Sequence, residues 1–153
     1  MSSNSRWVII RQLDEKIKAF KPIENSMPST GWIRSFRQTL QMSLAQLAEK
    51  MSVSASSVWA FEKREEEGTI QIKTLAEFAR ALDMTFVYGF IPRDGSLEKL
   101  IERKARTIAE RIVRRTSVSM ELEDQGTSEA RQRQAVDDLT EELKRDMPKY
   151  LWD

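Results

Sequence analysis

Residues 42–64 read Met-Ser-Leu-Ala-Gln-Leu-Ala-Glu-Lys-Met-Ser-Val-Ser-Ala-Ser-Ser-Val-Trp-Ala-Phe-Glu-Lys-Arg, and this stretch limits the fold more tightly than any other in the chain. It holds two short apolar-periodic segments, each opened by a serine, with a very short turn between them. In the first, Leu44, Leu47, Ala48 and Met51 share one helical face, and Ser43 just before them can accept a hydrogen bond from an amide that would otherwise go unpaired. In the second, Ser54 takes the capping place, Val58 and Phe61 face inward, and Ala55, Ser56, Trp59, Ala60 and Lys63 point elsewhere.

Two helices packed through a short turn, the second with a small and polar outer face, have the outline of a helix-turn-helix reader of DNA. Composition sets limits around that outline. A chain of 153 residues fits one domain with room for tails. Its 25 basic and 24 acidic residues nearly cancel, so an electrostatic argument for a polyanionic partner has to come from distribution. The absence of cysteine and histidine removes disulfides, thiolate chemistry, the common zinc sites and histidine acid–base catalysis. No glycine-rich phosphate loop or nucleophile–base set occurs at meaningful spacing, so no enzyme, cofactor, metal or small-molecule substrate is expected. No apolar run reaches a membrane span and residues 1–25 lack a signal-peptide core, which predicts a cytoplasmic protein.

Taken in order, Trp7, Ile10, Leu13, Ile17 and Phe20 form the stripe of an amphipathic helix that stops near Pro22. Residues 22–31, rich in Pro, Ser, Asn and Gly, read as a linker, so residues 1–30 are expected to form a helical arm. Its stripe covers either the core of its own chain or a second copy. A helix over 32–41 places Ile33, Phe36 and Leu40 inward, and another over 71–82 places Ile72, Leu75, Phe78, Ala79 and Leu82 inward. With the two central helices these close a core over residues 31–84. Residues 85–91, Thr-Phe-Val-Tyr-Gly-Phe-Ile, have the β-branched and aromatic composition of a strand and are stopped by Pro92. No second strand is apparent. Phe86, Val87, Tyr88 and Phe90 therefore either pair with the same strand of a second subunit or pack on the helices as a buried extended segment.

Beyond Gly95, Ser96 can cap a long helix to about Val118 whose outer faces are basic at Lys99, Arg103, Lys104, Arg106, Arg111, Arg114 and Arg115. Residues 121–146 reverse the sign. A break at Gly126-Thr127-Ser128 separates the two, and Ala135, Val136, Leu139 and Leu143 give the second helix its own stripe. Opposite charges suggest an antiparallel pair, the alternative being two solvated faces. The terminal Tyr150-Leu151-Trp152-Asp153 is either tied down on the core or an exposed docking peptide. Residues 85–153 thus read as a strand followed by a helical region for dimerisation or partner binding. The fold class expected is mainly α, with one short strand.

Over residues 31–82 the chain resembles the helix-turn-helix domain of phage repressor and Cro type, the Xre family, in Leu47-Ala48-Glu49-Lys50, Val53-Ser54 and Phe61-Glu62-Lys63. More narrowly, Gly31-Trp32-Ile33-Arg34, Gly68-Thr69-Ile70-Gln71, Phe86-Val87-Tyr88, Met120-Glu121-Leu122-Glu123-Asp124-Gln125 and Leu151-Trp152-Asp153 resemble the bacterial group called mobile mystery protein A, over nearly the whole chain. The resemblance implies a five-helix repressor-like domain and a dimeric, sequence-specific transcriptional repressor. Members of the narrower group are typically encoded beside a Fic-domain protein, which implies an antitoxin-like autoregulator. A direct inhibitor of that toxin, with DNA binding secondary, is the alternative.

The resemblance also distributes roles. Ala55, Ser56, Ser57, Trp59 and Ala60 would meet base edges of double-stranded DNA, the serines by hydrogen bonds and the alanines through methyl groups. Trp59 either touches the DNA or packs on helix 71–82. Ser43, Lys63 and Arg64 would position phosphate, and Arg37 and Glu62 would form an ion pair tying the first helix of the domain to the reader. Three departures stand out. Leu44 stands where a backbone-contacting glutamine is frequent, Ser52 replaces a turn glycine, and Glu65, Glu66 and Glu67 fall where many members have a basic loop. That loop is expected to turn away from phosphate or to meet basic groups of its own protein.

Overall fold

The computed structural model describes residues 1–122 and 128–153. Residues 123–127, which hold the end of the Met120-to-Gln125 motif and the start of the Gly126-Thr127-Ser128 break, lie outside the described residues. Among the described residues the chain is mainly α, with seven α-helices and no strand. None of those helices is long and apolar enough to cross a membrane. The chain divides into two compact units, Pro22–Gly89 on the one hand and Met1–Lys21 with Phe90–Asp153 on the other.

The first helix, α1 (Ser3–Lys18), belongs to the second of these. It is followed by α2 (Trp32–Thr39), α3 (Leu44–Met51), α4 (Ala55–Glu67) and α5 (Ile72–Ala81), which build the Pro22–Gly89 unit. There the apolar stripes converge on Ile33, Leu47, Ala48, Val58, Phe78 and Leu82, all buried. Leu47, Val58 and Phe78 are shut off from solvent completely or almost so, and removing a side chain of this size from water contributes about 1.5–3 kcal/mol each. Phe61 meets Phe78 edge-on at 5.7 Å.

Each central helix begins where its serine allows. The Ser43 hydroxyl accepts from the Gln46 amide at 3.1 Å while the Gln46 side chain accepts from the Ser43 amide at 2.8 Å, a reciprocal capping box. Ser54 accepts from the Ser57 amide at 3.1 Å. The turn between the helices is closed by Ser52 with φ 56°, a left-handed residue without glycine's freedom.

The other unit joins α1 to α6 (Leu97–Leu122) and α7 (Glu129–Asp146). Ile10, Ile101, Ala105, Ile108, Leu143 and Leu151 form its buried core. Thus Ile10 and Trp7 of the α1 stripe pack on the core of their own chain while Leu13 is 43% exposed, and the C-terminal segment is tied down by Leu151, with Tyr150 and Trp152 left about half exposed. Asp14 of α1 caps α6, its carboxylate accepting from the amides of Leu97 at 2.7 Å and Glu98 at 3.3 Å, while Ser96 accepts from Lys99 at 3.1 Å. Arg106 pairs with Asp137 at 2.9 Å and Glu102 with Lys144 at 3.7 Å. Rising numbers on α6 meet falling numbers on α7, so the two oppositely charged helices run antiparallel.

Residues 84–92 form neither helix nor strand, where sequence composition predicts a strand over 85–91. β-propensity shapes a segment but does not supply the ladder that defines a strand, and no other strand lies among the described residues to pair with it. Nor is the segment buried: Val87 and Tyr88 are each 66% exposed and Phe90 86%. Phe86 and Tyr88, two apart, stack at 5.9 Å between ring centroids.

Candidate nucleic-acid interface

The outer surface of α4 follows from its spacing. Val58 and Glu62 point inward and are buried, so Ser56, Trp59 and Lys63 on the opposite side are exposed, and Ala60 between them is half-buried. Trp59 is 56% exposed. Ala55 departs from the expected reading set. It packs against the core at the first turn of α4, because its Cβ lies on the Val58–Glu62 side of the helix. Ser57 is half-buried, and its hydroxyl lies 2.8 Å from that of Ser54. Ser56 is also drawn toward Ser54, at 3.1 Å. The outward face is therefore small, hydroxyl-rich and apolar in one large group, Trp59.

Among the expected phosphate contacts, Ser43 is exposed at the start of α3. Lys63 is exposed but leans on Glu66, 3.5 Å away. Arg64 lies over the Phe61 ring at 5.3 Å, held as a cation on an aromatic face.

Arg37 and Glu62 meet as a two-pronged pair, Nε to Oε1 at 2.5 Å and one terminal nitrogen to Oε2 at 3.1 Å. Their side chains are only 13% and 5% exposed. Arg37 also donates to the Met42 carbonyl at 3.1 Å, so one guanidinium ties α2 to α4 and to the residue that precedes Ser43. The hydrogen bonds from Arg37 to Glu62 hold the guanidinium above its ordinary range against the opposing effect of burial.

Sequence reasoning missed a second tie. Glu65, Glu66 and Glu67 are the last turn of α4, not a loop, because helical spacing continues past Arg64 until Gly68 ends it with φ 77°. Glu65 does not meet a basic group either. Its carboxylate accepts from the backbone amides of Trp32 at 2.6 Å and Ile33 at 2.9 Å, capping α2 where Gly31 offers no side chain to do so. A carboxylate there also suits the positive end of the helix dipole. The available signal is the i, i+3 spacing of Glu62 and Glu65, which places both on the buried side of α4.

Two carboxylates on the inner side of α4 thus hold α2, one through Arg37 and one through its first turn, while the outer side is left free. Phe86, Val87, Tyr88 and Phe90 lie in the coil that follows α5. No family model matches the chain, and neither a curated protein nor a solved structure matches it.

Proposed function

We propose that this protein is a DNA-binding transcriptional regulator that acts as a dimer in the cytoplasm, with α4 as the helix that enters the major groove. The observation that carries the reading is the exposed row Ser56, Trp59 and Lys63, with half-buried Ala60 between them, on a helix whose opposite side is fixed by Arg37–Glu62 and by Glu65. A helix held from behind and free in front suits docking in a groove. Without a bidentate Arg, Asn or Gln in that row, shape and half-site spacing carry much of the specificity. A dimer needs a self-complementary surface, and the exposed Val87, Tyr88 and Phe90 after α5 offer one by pairing of residues 85–91 across a two-fold axis. Gel shifts over a salt series, with the DNA upstream of its gene against a random duplex, test the reading. A preference for the upstream DNA is expected, and equal affinity for both would overturn it.

The likeness to the mobile mystery protein A group extends the proposal to autoregulation of an operon that encodes a Fic-domain toxin. A direct inhibitory role would fall to the unit of Met1–Lys21 and Phe90–Asp153, which has a core of its own. Co-elution with the neighbouring gene product in size-exclusion chromatography tests that role, and separate elution at micromolar concentration would count against it.

A further inference from the structure

Arg111, Arg114 and Arg115 stand together on the exposed side of α6, and none of them forms an ion pair or hydrogen bond among the described residues. Nearby cations behave differently. Arg103 is held by Asp94 at 2.7 Å, Arg106 by Asp137 at 2.9 Å, and Lys144 by Glu141 at 3.4 Å and Glu102 at 3.7 Å. Among the described residues no ion pair is formed beyond Arg106 on α6, although α7 is rich in carboxylates and Glu110 is exposed beside the cluster without bonding to it. Lys104, half-buried and seven positions before Arg111, continues the row on the same side of the helix. Like charges three and four positions apart repel on a helix, so this cluster weakens α6 until an anion lies on it.

The chemistry of that anion can be narrowed. Guanidinium forks match phosphate oxygens in pairs, which an ammonium does not. Eleven positions from Lys104 to Arg115 span about 16 Å at 1.5 Å per residue, enough to follow roughly four or five phosphates of one strand at about 3.4 Å along the duplex axis. The sequence of α6 contains no aromatic residue, so it has no platform on which unpaired bases could stack. Its apolar stripe, Ile101, Ala105 and Ile108, is buried in the core and cannot enter a lipid surface.

We propose that Arg111, Arg114 and Arg115 form a backbone-binding surface for duplex DNA, outside the Pro22–Gly89 unit that carries the reading helix. This rests on the DNA-binding reading of α4 and adds to it a surface that grips without reading sequence. The test measures fluorescence anisotropy of the full chain with the upstream duplex and with a random duplex of equal length, over about 50–300 mM salt. The variant Arg111→Gln/Arg114→Gln/Arg115→Gln is expected to flatten log K against log salt by roughly 2–3, at about 0.9 for each phosphate no longer neutralised. The drop in affinity should be equal on both duplexes. The corresponding triple lysine variant keeps the charge and should keep the slope, and melts followed by circular dichroism should show both variants folded. A wild-type chain that binds DNA alongside a glutamine variant of unchanged slope would overturn this inference alone. So would a glutamine variant that binds DNA normally but fails to bind the neighbouring gene product, since the surface would then belong to an acidic protein. Failure of the wild-type chain to bind either duplex would overturn both this inference and the reading beneath it.

Discussion

A Cβ built on Gly31 would stand 2.8 Å from the carboxyl carbon of Glu65, closer than real Cβ atoms come to a neighbour. Gly31 is itself buried and has φ 85° and ψ 164°, a region that is essentially reserved for glycine. The carboxylate from the last turn of α4 therefore reaches the first turn of α2 through space that a side chain at residue 31 would occupy. Gly31→Ala should cost the backbone strain of about 1–3 kcal/mol, plus part of the cap, about 1 kcal/mol, as Glu65 is pushed off the Trp32 and Ile33 amides. Urea unfolding of wild type and variant checks this, and a loss below about 0.5 kcal/mol, the scatter expected of a surface change, would show that the contact has room to give.

The Arg37–Glu62 pair makes a different prediction, because both partners are nearly buried. Arg37→Met leaves the Glu62 carboxylate without its counter-charge and should cost about 3–5 kcal/mol, whereas Arg37→Met/Glu62→Leu should cost distinctly less, since replacing both charges removes the desolvation penalty too. The comparison needs only denaturant midpoints with a common slope. A double variant as unstable as the single one would mean that the loss does not come from the Glu62 charge left unpaired.

Ser52 gives the opposite sign. Its φ of 56° lies in the left-handed region, where an ordinary residue is strained by about 1–2 kcal/mol. Ser52→Gly relieves that strain but enlarges the unfolded ensemble by about 0.4–1 kcal/mol, so a net gain of about 0.5–1 kcal/mol is expected. A thermal melt that shifts upward confirms the balance, and a downward shift would mean that the Ser52 side chain contributes more than its backbone costs.

Much of this architecture is legible because it is local. Ser43 and Ser54 cap the helices they precede, and Leu47, Val58 and Phe78 lie in the core where their spacing puts them. The Arg37–Glu62 pair is readable only through resemblance, since residues 25 positions apart carry no periodic signal. Apolar stripes mislead at some helix ends: Leu40 and Ile72 are each 54% exposed, whereas Leu82 at the end of α5 is buried. The run Glu65, Glu66 and Glu67 reads as a loop through the resemblance, which puts a loop there, and the amides of α2 that Glu65 serves lie 33 and 32 positions earlier in the sequence. The strand expected at 85–91 depends on a pairing partner that no single-chain pattern can provide.

Trp59 separates the proposed reading function from the fold. It is 56% exposed, whereas Phe61, two positions on, is engaged with Phe78. A half-exposed tryptophan leaves on the order of 100 Å² of apolar surface to cover, which at about 25 cal/mol per Å² could supply about 2–3 kcal/mol to a complex that buries it all. Trp59→Ala should therefore leave urea stability within about 0.5 kcal/mol of wild type while weakening affinity for the upstream duplex by about 1–2 kcal/mol, roughly five- to thirty-fold. Because the contact is apolar, the salt slope should not change. If the substitution lowers stability and leaves duplex affinity intact, Trp59 serves packing, and the outward row of α4 proposed to meet DNA loses its one large apolar group.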